Sequence, residues 1–463
     1  MKATKPSERF FATVNPATGE TLERYPLLEA RALDRILEAA AGAQRAWAQS
    51  RFEERAQGLR AAAELLRRRA SAWAELMARE MGKPLKQGVA EAEKCAWACE
   101  FFAERAPRWL APQPVDTGSG KSFVAFRPLG VILAIMPWNY PFWQVFRCAA
   151  PALAAGNGVL LKHAPNVTGC ALAIEKIFRE AGFPPDVFRT LVIDERQAAR
   201  VIRDPRVRGV SLTGSVRAGR AVAKIAGQAL KKTVLELGGS DPYVVLDDAD
   251  LEHAAQVCVA ARLVNSGQSC IAAKRWIVVK ARRAAFEEAA LARLKAQRVG
   301  DPHDPATTVG PLARADLRDQ LHRQVRGSIE AGARCVLGGA PLTSRGFYYP
   351  VTLLTQVGPG MPAYGEELFG PVAVLIEAAD ERDALRIAND SAYGLGGAVF
   401  TADRARGERL AAERIEAGAV FVNQQVVSDP RLPFGGIKDS GLGRELSEFG
   451  LREFVNIKSV SVA

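Results

Sequence analysis

The sequence has few of the residues that bind metals, build disulfide frameworks or grip nucleic acids. It contains four histidines and seven cysteines in 463 residues, with no C-x-x-C pair, so neither a zinc site nor a disulfide scaffold is predicted. Its net charge of +11 is scattered, and the longest basic runs are the arginines at 67–69 and the lysines at 231–232. Such runs are too short for a nucleic-acid-binding arm. We therefore expect no metal and no nucleic-acid partner.

Long apolar stretches are also missing. The longest apolar run, at 131–137, is far shorter than the roughly 20 residues that a membrane-spanning helix needs. The first thirty residues contain no apolar core of a signal peptide. Because cysteines without a disulfide pattern indicate a reducing compartment, we expect a cytoplasmic protein with no membrane partner.

What the sequence does contain is a regular alternation of strand-like and helix-like segments. Short β-rich apolar runs alternate with helical stretches between 130 and 246, and a second alternation follows from 250 to 422. This pattern is typical of parallel α/β sheets. Two such units in series predict two domains with a cleft between them. Residues 31–50 and 53–81 have apolar positions at helical spacing and predict amphipathic helices packed against this framework.

Cys270 lies among small and polar residues, in the segment NSGQSC at 265–270. Small neighbours let a substrate approach the sulfur closely, which suits a nucleophilic thiol. A single cysteine is more often a small buried hydrophobic residue. On local sequence alone, both interpretations stay open.

Two polar residues stand at the ends of predicted strands. Glu236 ends an apolar run and precedes two glycines, a position that faces a cleft, where burial would raise the pKa of the carboxyl toward that of a general base. Asn139 follows a strand in PWNYP and has a side-chain amide that can donate to a developing oxyanion. The alternatives are an exposed strand-end charge for Glu236 and a helix cap for Asn139.

The segment TGSVRAG at 213–219 links a predicted strand to a predicted helix. Its glycines and the helix N-terminus are suited to a pyrophosphate. The segment lacks the G-x-G-x-x-G spacing of dinucleotide-binding turns, so by itself it is a weak indication.

Taken in order, these segments resemble the NAD(P)-dependent aldehyde dehydrogenase superfamily. The motifs that carry the resemblance are PWNYP, LLKHAPN, LTGSVRAG, ELGGS, NSGQSC, EELFGPV and PFGGIKDSGLGRE. It extends from NPATG at 15–19 to the C-terminus. The variants LLKHAPN, ELGGSDP, AAKR and SDPRLPFGGIK are most similar to those of the bacterial succinate-semialdehyde dehydrogenases.

The resemblance implies a catalytic role for three of the candidates. Cys270 would be the nucleophile and Glu236 the base. Asn139, together with the Cys270 backbone N–H, would form the oxyanion hole. The implied reaction oxidises an aldehyde to a carboxylic acid through a thiohemiacetal and a thioester on the cysteine.

The resemblance also implies NAD or NADP as cofactor. Lys162 would hold the adenosine ribose, and the expected contacts to the rest of the cofactor are Trp138, Gly214, Ser215, Glu367 and Phe369. NAD-preferring relatives often carry a glutamate three residues after the lysine, where it repels the 2′-phosphate of NADP. Here that position is Pro165, so both cofactors are expected to work.

Substrate specificity is implied by two further positions. Arg147 lies eight residues after Asn139. On a helix that starts near residue 141, it would lie about two turns along and face the substrate tunnel. The resemblance implies that it binds the far carboxylate of the substrate. Ser428 matches a second carboxylate contact. Some of these enzymes carry another arginine six residues before the cysteine, where this chain has Val264. Glu445 matches a family acid for which the resemblance implies a structural role.

The other functions open to this sequence are dehydrogenases for glutarate semialdehyde, lactaldehyde or medium-chain aliphatic aldehydes. A catalytically silent binding or structural relative is a different class of alternative. Loss of Cys270, Glu236 or Asn139 would have indicated such a relative, and all three are present.

The implied fold class is α/β, with a Rossmann-type cofactor domain, an α/β catalytic domain and a small β oligomerisation arm. The cofactor domain would comprise residues 1–118 and 132–237, and the catalytic domain residues 238–435. The arm would comprise 119–131 and 450–463, completing sheets across subunits. A homodimer or homotetramer is therefore expected.

Overall fold

The computed structural model describes residues 9–118, 120–342 and 345–463. Residues 1–8 of the predicted cofactor domain, residues 343–344 of the predicted catalytic domain, and Ser119 of the predicted arm lie outside the described residues.

Helices and strands alternate through most of the described chain. The helices are α1 Ala30–Trp47, α2 Phe52–Arg68, α3 Ala70–Met81, α4 Leu85–Trp109, α5 Trp143–Ala154, α6 Thr168–Glu180, α7 Glu195–Arg203, α8 Val216–Gln228, α9 Leu251–Leu263, α10 Lys280–Lys295, α11 Ala315–Glu330, α12 Pro362–Gly365, α13 Glu381–Asn389, α14 Arg404–Glu413 and α15 Ser447–Glu453. Short 3₁₀ turns lie at Pro165–Val167 and Val264–Gly267.

The strands are β1 Phe10–Val14, β2 Thr21–Pro26, β3 Gln113–Val115, β4 Lys121–Pro128, β5 Val131–Met136, β6 Gly158–His163, β7 Phe188–Thr190, β8 Val207–Thr213, β9 Lys232–Glu236, β10 Pro242–Val245, β11 Arg275–Val279, β12 Arg334–Leu337, β13 Thr352–Thr355, β14 Val372–Ala378, β15 Tyr393–Gly394, β16 Gly396–Phe400, β17 Ala419–Val422, β18 Ile437–Lys438, β19 Gly441–Leu442 and β20 Val455–Val462. The predicted α/β fold class is confirmed.

The first large sheet has the strand order β19-β9-β8-β5-β6-β7, and all neighbours except β19 and β9 run parallel. Parallel strands bring their carboxyl ends to one edge of the sheet, which is where α/β proteins place ligand sites. The ends of β5, β8 and β9 therefore bring Asn139, Gly214 and Glu236 to the same edge.

The second large sheet has the order β12-β13-β14-β11-β10-β16-β17, and only β12 runs antiparallel to its neighbour. Its central strands are buried along their whole length, as expected for a sheet that is covered on both faces. This sheet supports the Cys270 loop, which lies between α9 and β11, and the segment before β14 that carries Glu367 and Phe369.

An N-terminal helical layer covers the first sheet. The helix predicted over 53–81 is two helices, because the chain breaks at Arg69 with φ −116° and ψ 23°. Leu59 and Leu66 of α2 and Met77 of α3 are fully buried, within the same apolar core as α4 and α5. This packing fixes α4 beside α5 and so positions one wall of the site described below.

The predicted arm forms part of a three-stranded antiparallel sheet. β4 pairs with β20 over its whole length, from Pro128 opposite Val455 to Lys121 opposite Val462. Its other neighbour is β3, which lies outside the predicted arm. The division into three domains stays a prediction. Among the described helices, none is long and apolar enough to cross a bilayer.

Candidate active site

Cys270 lies between two cavities. A large cavity of about 640 Å³ is lined on one side by residues that include Trp138, Asn139, Gly214, Ser215, Glu367 and Phe369. A small cavity of about 230 Å³ is lined on the other side by residues that include Lys94, Tyr140, Trp143, Arg147, Val264 and Ser428. Cys270 and Gln144 line both. A group bound in either cavity can therefore reach the sulfur.

Hydrogen bonds and close backbone packing hold the Cys270 loop in place. Asn265 and Ser266 adopt left-handed backbone conformations, with φ 54° and 57°, and the Asn265 amide donates to the carbonyls of Asn139 at 2.7 Å and Gln268 at 3.0 Å. At Gly267, with φ 75°, an added Cβ would lie 2.2 Å from the Gly370 carbonyl oxygen. The small residues of NSGQSC are thus required by this tight turn as well as by access to the thiol.

Burial raises the pKa of the Cys270 thiol to about 12, although the positive charges of Arg147 and Lys274 oppose the shift. The Lys274 ammonium donates to the carbonyls of Ser269 at 2.8 Å and Cys270 at 2.6 Å. In this state the thiol is protonated at neutral pH. A cation brought next to the sulfur would lower the pKa of the thiol and favour the reactive thiolate.

Asn139 is buried beside the Cys270 loop, with 4% of its surface exposed. Its amide donates to the Gln268 carbonyl at 3.1 Å, and its Oδ1 has no hydrogen-bond partner among the described residues. The helix-cap interpretation is wrong, because α5 begins at Trp143 and its N-cap is Phe142. The amide's second N–H is available to an oxygen bound in the large cavity.

Glu236 ends β9 as predicted, but its carboxyl is only 2% exposed and is not part of the lining of either cavity. Burial raises its pKa well above the usual value, opposed by the charge of Arg147. Neither oxygen has a hydrogen-bond partner among the described residues. The exposed-charge alternative is therefore wrong. An unpartnered buried carboxyl is unusual in a protein interior and calls for a functional explanation.

Arg147 lines the small cavity, but its guanidinium is already engaged. It forms a buried ion pair with Glu445, donates to Thr213 Oγ1 at 3.2 Å and stacks on Phe434 at 4.7 Å. The helix starts at Trp143, so Arg147 lies about one turn along it instead of the predicted two. The carboxylate that the structure places against Arg147 is Glu445.

Ser428 reaches the same small cavity from the segment after β17. Its Oγ accepts hydrogen bonds from Lys94 Nζ at 2.8 Å and from Trp143 Nε1 at 3.0 Å. Sequence reasoning missed Lys94, which lies on α4 and is 334 positions from Ser428. The sequence did contain one indication of this role: Lys94 directly precedes Cys95, which belongs to the buried face of the amphipathic helix α4.

The expected cofactor contacts lie together in the large cavity, with one exception. Trp138 and Phe369 meet edge to face, with ring centroids 5.7 Å apart, and Ser215 caps α8 by accepting from the Ala218 N–H at 3.3 Å. The exception is Lys162, which ends β6 but is not part of this lining. Burial lowers the pKa of Lys162.

Glu367 is fixed at the boundary of the large cavity. It accepts from the Gly239 N–H at 3.1 Å and lies 3.1 Å from Lys274 Nζ. Sequence reasoning did not predict this contact of Lys274, although the segment AAKR that contains it belongs to the family resemblance. A Cβ at Gly238 would come within 2.5 Å of Glu367 Oε2, so this glycine makes room for the carboxylate. The large cavity, the α8 N-terminus and the aromatic pair beside Cys270 fit a nicotinamide dinucleotide.

The α/β fold and a cysteine between a dinucleotide-sized cavity and a smaller one define an enzyme of the aldehyde dehydrogenase type. The model of the aldehyde dehydrogenase family matches residues 3–460, and the chain belongs to that family.

Three relatives are particularly similar. The chain is 48% identical to the succinate semialdehyde dehydrogenase [NAD(P)+] Sad of Escherichia coli, over 97% of each chain. It is also 48% identical to a probable succinate-semialdehyde dehydrogenase [NADP(+)] of Synechocystis, over 98% of this chain and 99% of that one. The crystal structure of succinic semialdehyde dehydrogenase from Streptococcus pyogenes with NADP+ matches with a TM-score of 0.96 and 38% identity, over 98% and 99% of the two chains.

Proposed function

We propose that this protein oxidises succinate semialdehyde to succinate, with NAD+ or NADP+ as oxidant. The observation that carries the proposal is the position of Cys270 between the large cavity and the small one, whose lining includes the Lys94 ammonium. The names of the relatives support the same substrate and both cofactors.

In the first half of the reaction, the Cys270 thiol loses its proton to solvent, and the resulting thiolate attacks the aldehyde carbon. The Asn139 amide and the Cys270 N–H donate to the oxyanion, which stabilises the thiohemiacetal. NAD(P)+ held in the large cavity would supply the hydride acceptor, and loss of the hydride from this carbon leaves a thioester on Cys270.

In the second half, Glu236 removes a proton from water, which attacks the thioester carbon. The carbon–sulfur bond breaks, succinate is released and the Cys270 thiolate is regenerated. The raised pKa of Glu236 suits a general base near neutral pH, provided that its carboxyl turns from its buried position toward the sulfur.

Six residues would hold the cofactor. They are Trp138, Lys162, Gly214, Ser215, Glu367 and Phe369. The helix dipole of α8 favours the pyrophosphate at Gly214 and Ser215. Lys274 would keep Glu367 in place toward the nicotinamide ribose, because it forms an ion pair with this carboxylate.

Arg147 and Ser428 are the proposed substrate residues from the family pattern. Ser428 has a polar group in the small cavity, whereas the charge of Arg147 is matched by Glu445. We therefore assign Arg147 a supporting position in the cavity wall. An anionic substrate agrees with this basic lining better than a medium-chain aliphatic aldehyde does.

A panel of aldehydes tests the proposal. With either cofactor, kcat/KM for succinate semialdehyde should exceed that for butanal and lactaldehyde, which carry no carboxylate, by at least about tenfold, since one charged hydrogen-bonded contact contributes about 1.5–3 kcal/mol. Glutarate semialdehyde has the same carboxylate on a chain one methylene longer, so its kcat/KM measures how well the small cavity fits the chain length. If kcat/KM is highest for another aldehyde, that aldehyde is the substrate and the proposal of succinate semialdehyde is wrong. No turnover of any aldehyde would favour a catalytically silent relative.

We further propose a cytoplasmic homodimer or homotetramer. Cys270 has to remain reduced, which agrees with seven free cysteines. The three-stranded sheet exposes Ile457 and Val462, and an apolar sheet edge is suited to pairing with a second copy. Analytical ultracentrifugation of the purified protein would detect a monomer if this proposal is wrong.

A further inference from the structure

We propose that Lys94, acting with Ser428, binds the far carboxylate of the substrate and so determines specificity for a carboxylate-bearing aldehyde. The inference rests on the proposed function, because it assumes such a substrate in the small cavity. It assigns the direct charge contact to a residue of α4 instead of the arginine expected from the family pattern.

Lys94 lies in the wall of the small cavity. Its side chain lines the small cavity together with Cys270. The ammonium lies 4.3 Å from the centre of the Trp143 ring and 2.8 Å from Ser428 Oγ. The cation is thus held at a defined point of the cavity that also contains the reactive sulfur.

Lys94 forms no ion pair among the described residues, although the charges of Glu91 and Asp429 act on it from farther away. Two neighbouring cations are paired with buried carboxylates, Arg147 with Glu445 and Lys83 with Glu91. Among the described residues, no carboxylate lies within ion-pair distance of Lys94. A largely desolvated cation is costly unless an anion compensates it, and a carboxylate bound in the small cavity would do so.

The Ser428 hydroxyl offers a second hydrogen-bond donor beside the Lys94 ammonium. Ser428 Oγ accepts from Lys94 and from Trp143 Nε1, which uses both lone pairs of the oxygen. The described residues provide no acceptor for its own O–H, which therefore remains available to a bound ligand. The ammonium and the hydroxyl together offer two donors to the two oxygens of one carboxylate.

The test compares Lys94→Met with Lys86→Met. Both lysines lie on α4, but Lys86 is exposed and outside both cavities. The ratio of kcat/KM for succinate semialdehyde to that for butanal should fall roughly 10- to 100-fold in Lys94→Met. In Lys86→Met the ratio should not change. Lys94→Arg should recover part of the lost ratio because it restores the charge.

A second measurement does not depend on turnover of succinate semialdehyde. Succinate should inhibit butanal oxidation competitively, and its inhibition constant should rise by the same factor in Lys94→Met and rise also in Ser428→Ala. Unchanged inhibition, or equal losses for both aldehydes, would overturn the role of Lys94. A wild-type enzyme that prefers butanal would instead reject the proposed function, while succinate inhibition still decides the role of Lys94.

Discussion

The two sides of Cys270 are built in different ways. The large cavity combines strand ends and glycine turns, such as Asn139, Gly214 and Gly238, with one face of α11. The small cavity is assembled from two helices and a late loop, which bring Lys94, Arg147 and Ser428 together. In the proposed function, backbone geometry contributes to holding the cofactor in the large cavity. Individual side chains, which can change without disturbing the sheet, would select the substrate in the small cavity.

The largest effect is expected where the two cavities meet. Cys270→Ala should lower kcat by roughly 10⁴- to 10⁶-fold, because both halves of the reaction need the sulfur. The melting temperature should stay close to that of the wild type. Cys335→Ala is the control, since this partly buried cysteine lies on β12, outside both cavities. Substantial turnover by Cys270→Ala would reject the cysteine as nucleophile.

The next effect concerns the buried carboxyl of Glu236. Glu236→Gln should release about one equivalent of reduced cofactor and then turn over roughly 10²- to 10⁴-fold more slowly, because hydrolysis of the thioester lacks its base. Stopped-flow absorbance of the reduced cofactor measures both phases. An unchanged steady-state rate would mean that another group activates water.

The third prediction tests whether Arg147 has a structural role, in contrast to the proposed substrate-binding role of Lys94. Arg147→Ala leaves Glu445 buried without its partner and should lower the free energy of unfolding by about 3–5 kcal/mol. Glu445→Gln in the same chain should restore part of the loss, which a double-mutant cycle of denaturant unfolding measures. If the stability is unchanged and only succinate semialdehyde oxidation is lost, Arg147 is itself the carboxylate clamp.

These predictions also show what could be read from the sequence. Cys270, Asn139 and the cofactor turn were predictable, because each lies in a short motif whose local geometry the sheet edge determines. The pairing of Arg147 with Glu445 was not, since it joins α5 to a loop almost 300 positions away. Lys94 was missed for the same reason: a helical lysine acquires a function only when Ser428 and Trp143 are folded against it.

A smaller effect is expected for cofactor preference. Both NAD and NADP should support turnover, because Pro165, which begins a 3₁₀ turn after Lys162, has no carboxylate of its own to repel a 2′-phosphate. The carboxylates that act on Lys162 are Glu195 and Asp194, from another part of the chain. Pro165→Glu should shift the ratio of kcat/KM for NADP to that for NAD toward NAD by about tenfold. Failure of either cofactor at millimolar concentration in the wild type would contradict the prediction.

The selectivity for succinate semialdehyde over butanal should depend on pH, with an effect of similar or smaller size. Burial lowers the pKa of Lys94 to about 8, with Arg147 acting in the same direction and Cys95, Glu91 and Asp429 opposing it. The ammonium is charged below this pKa and neutral above it. The ratio of kcat/KM for succinate semialdehyde to that for butanal should therefore fall by about tenfold between pH 7 and pH 9.

Lys94→Arg provides the control for this pH profile, because a guanidinium stays charged throughout the range. The selectivity ratio of that variant should be flat between pH 7 and pH 9. A wild-type ratio that is equally flat would show that Lys94 is not the titrating contact.

The central claim is that one sulfur, Cys270, joins the cofactor cavity to a carboxylate-binding cavity. The most direct test is to mix Glu236→Gln with succinate semialdehyde and NADP+, quench the reaction and map the modified peptide by mass spectrometry. The account predicts a succinyl thioester on Cys270, formed with about one equivalent of NADPH. Release of NADPH with no adduct on Cys270, or an adduct on another cysteine, would contradict it.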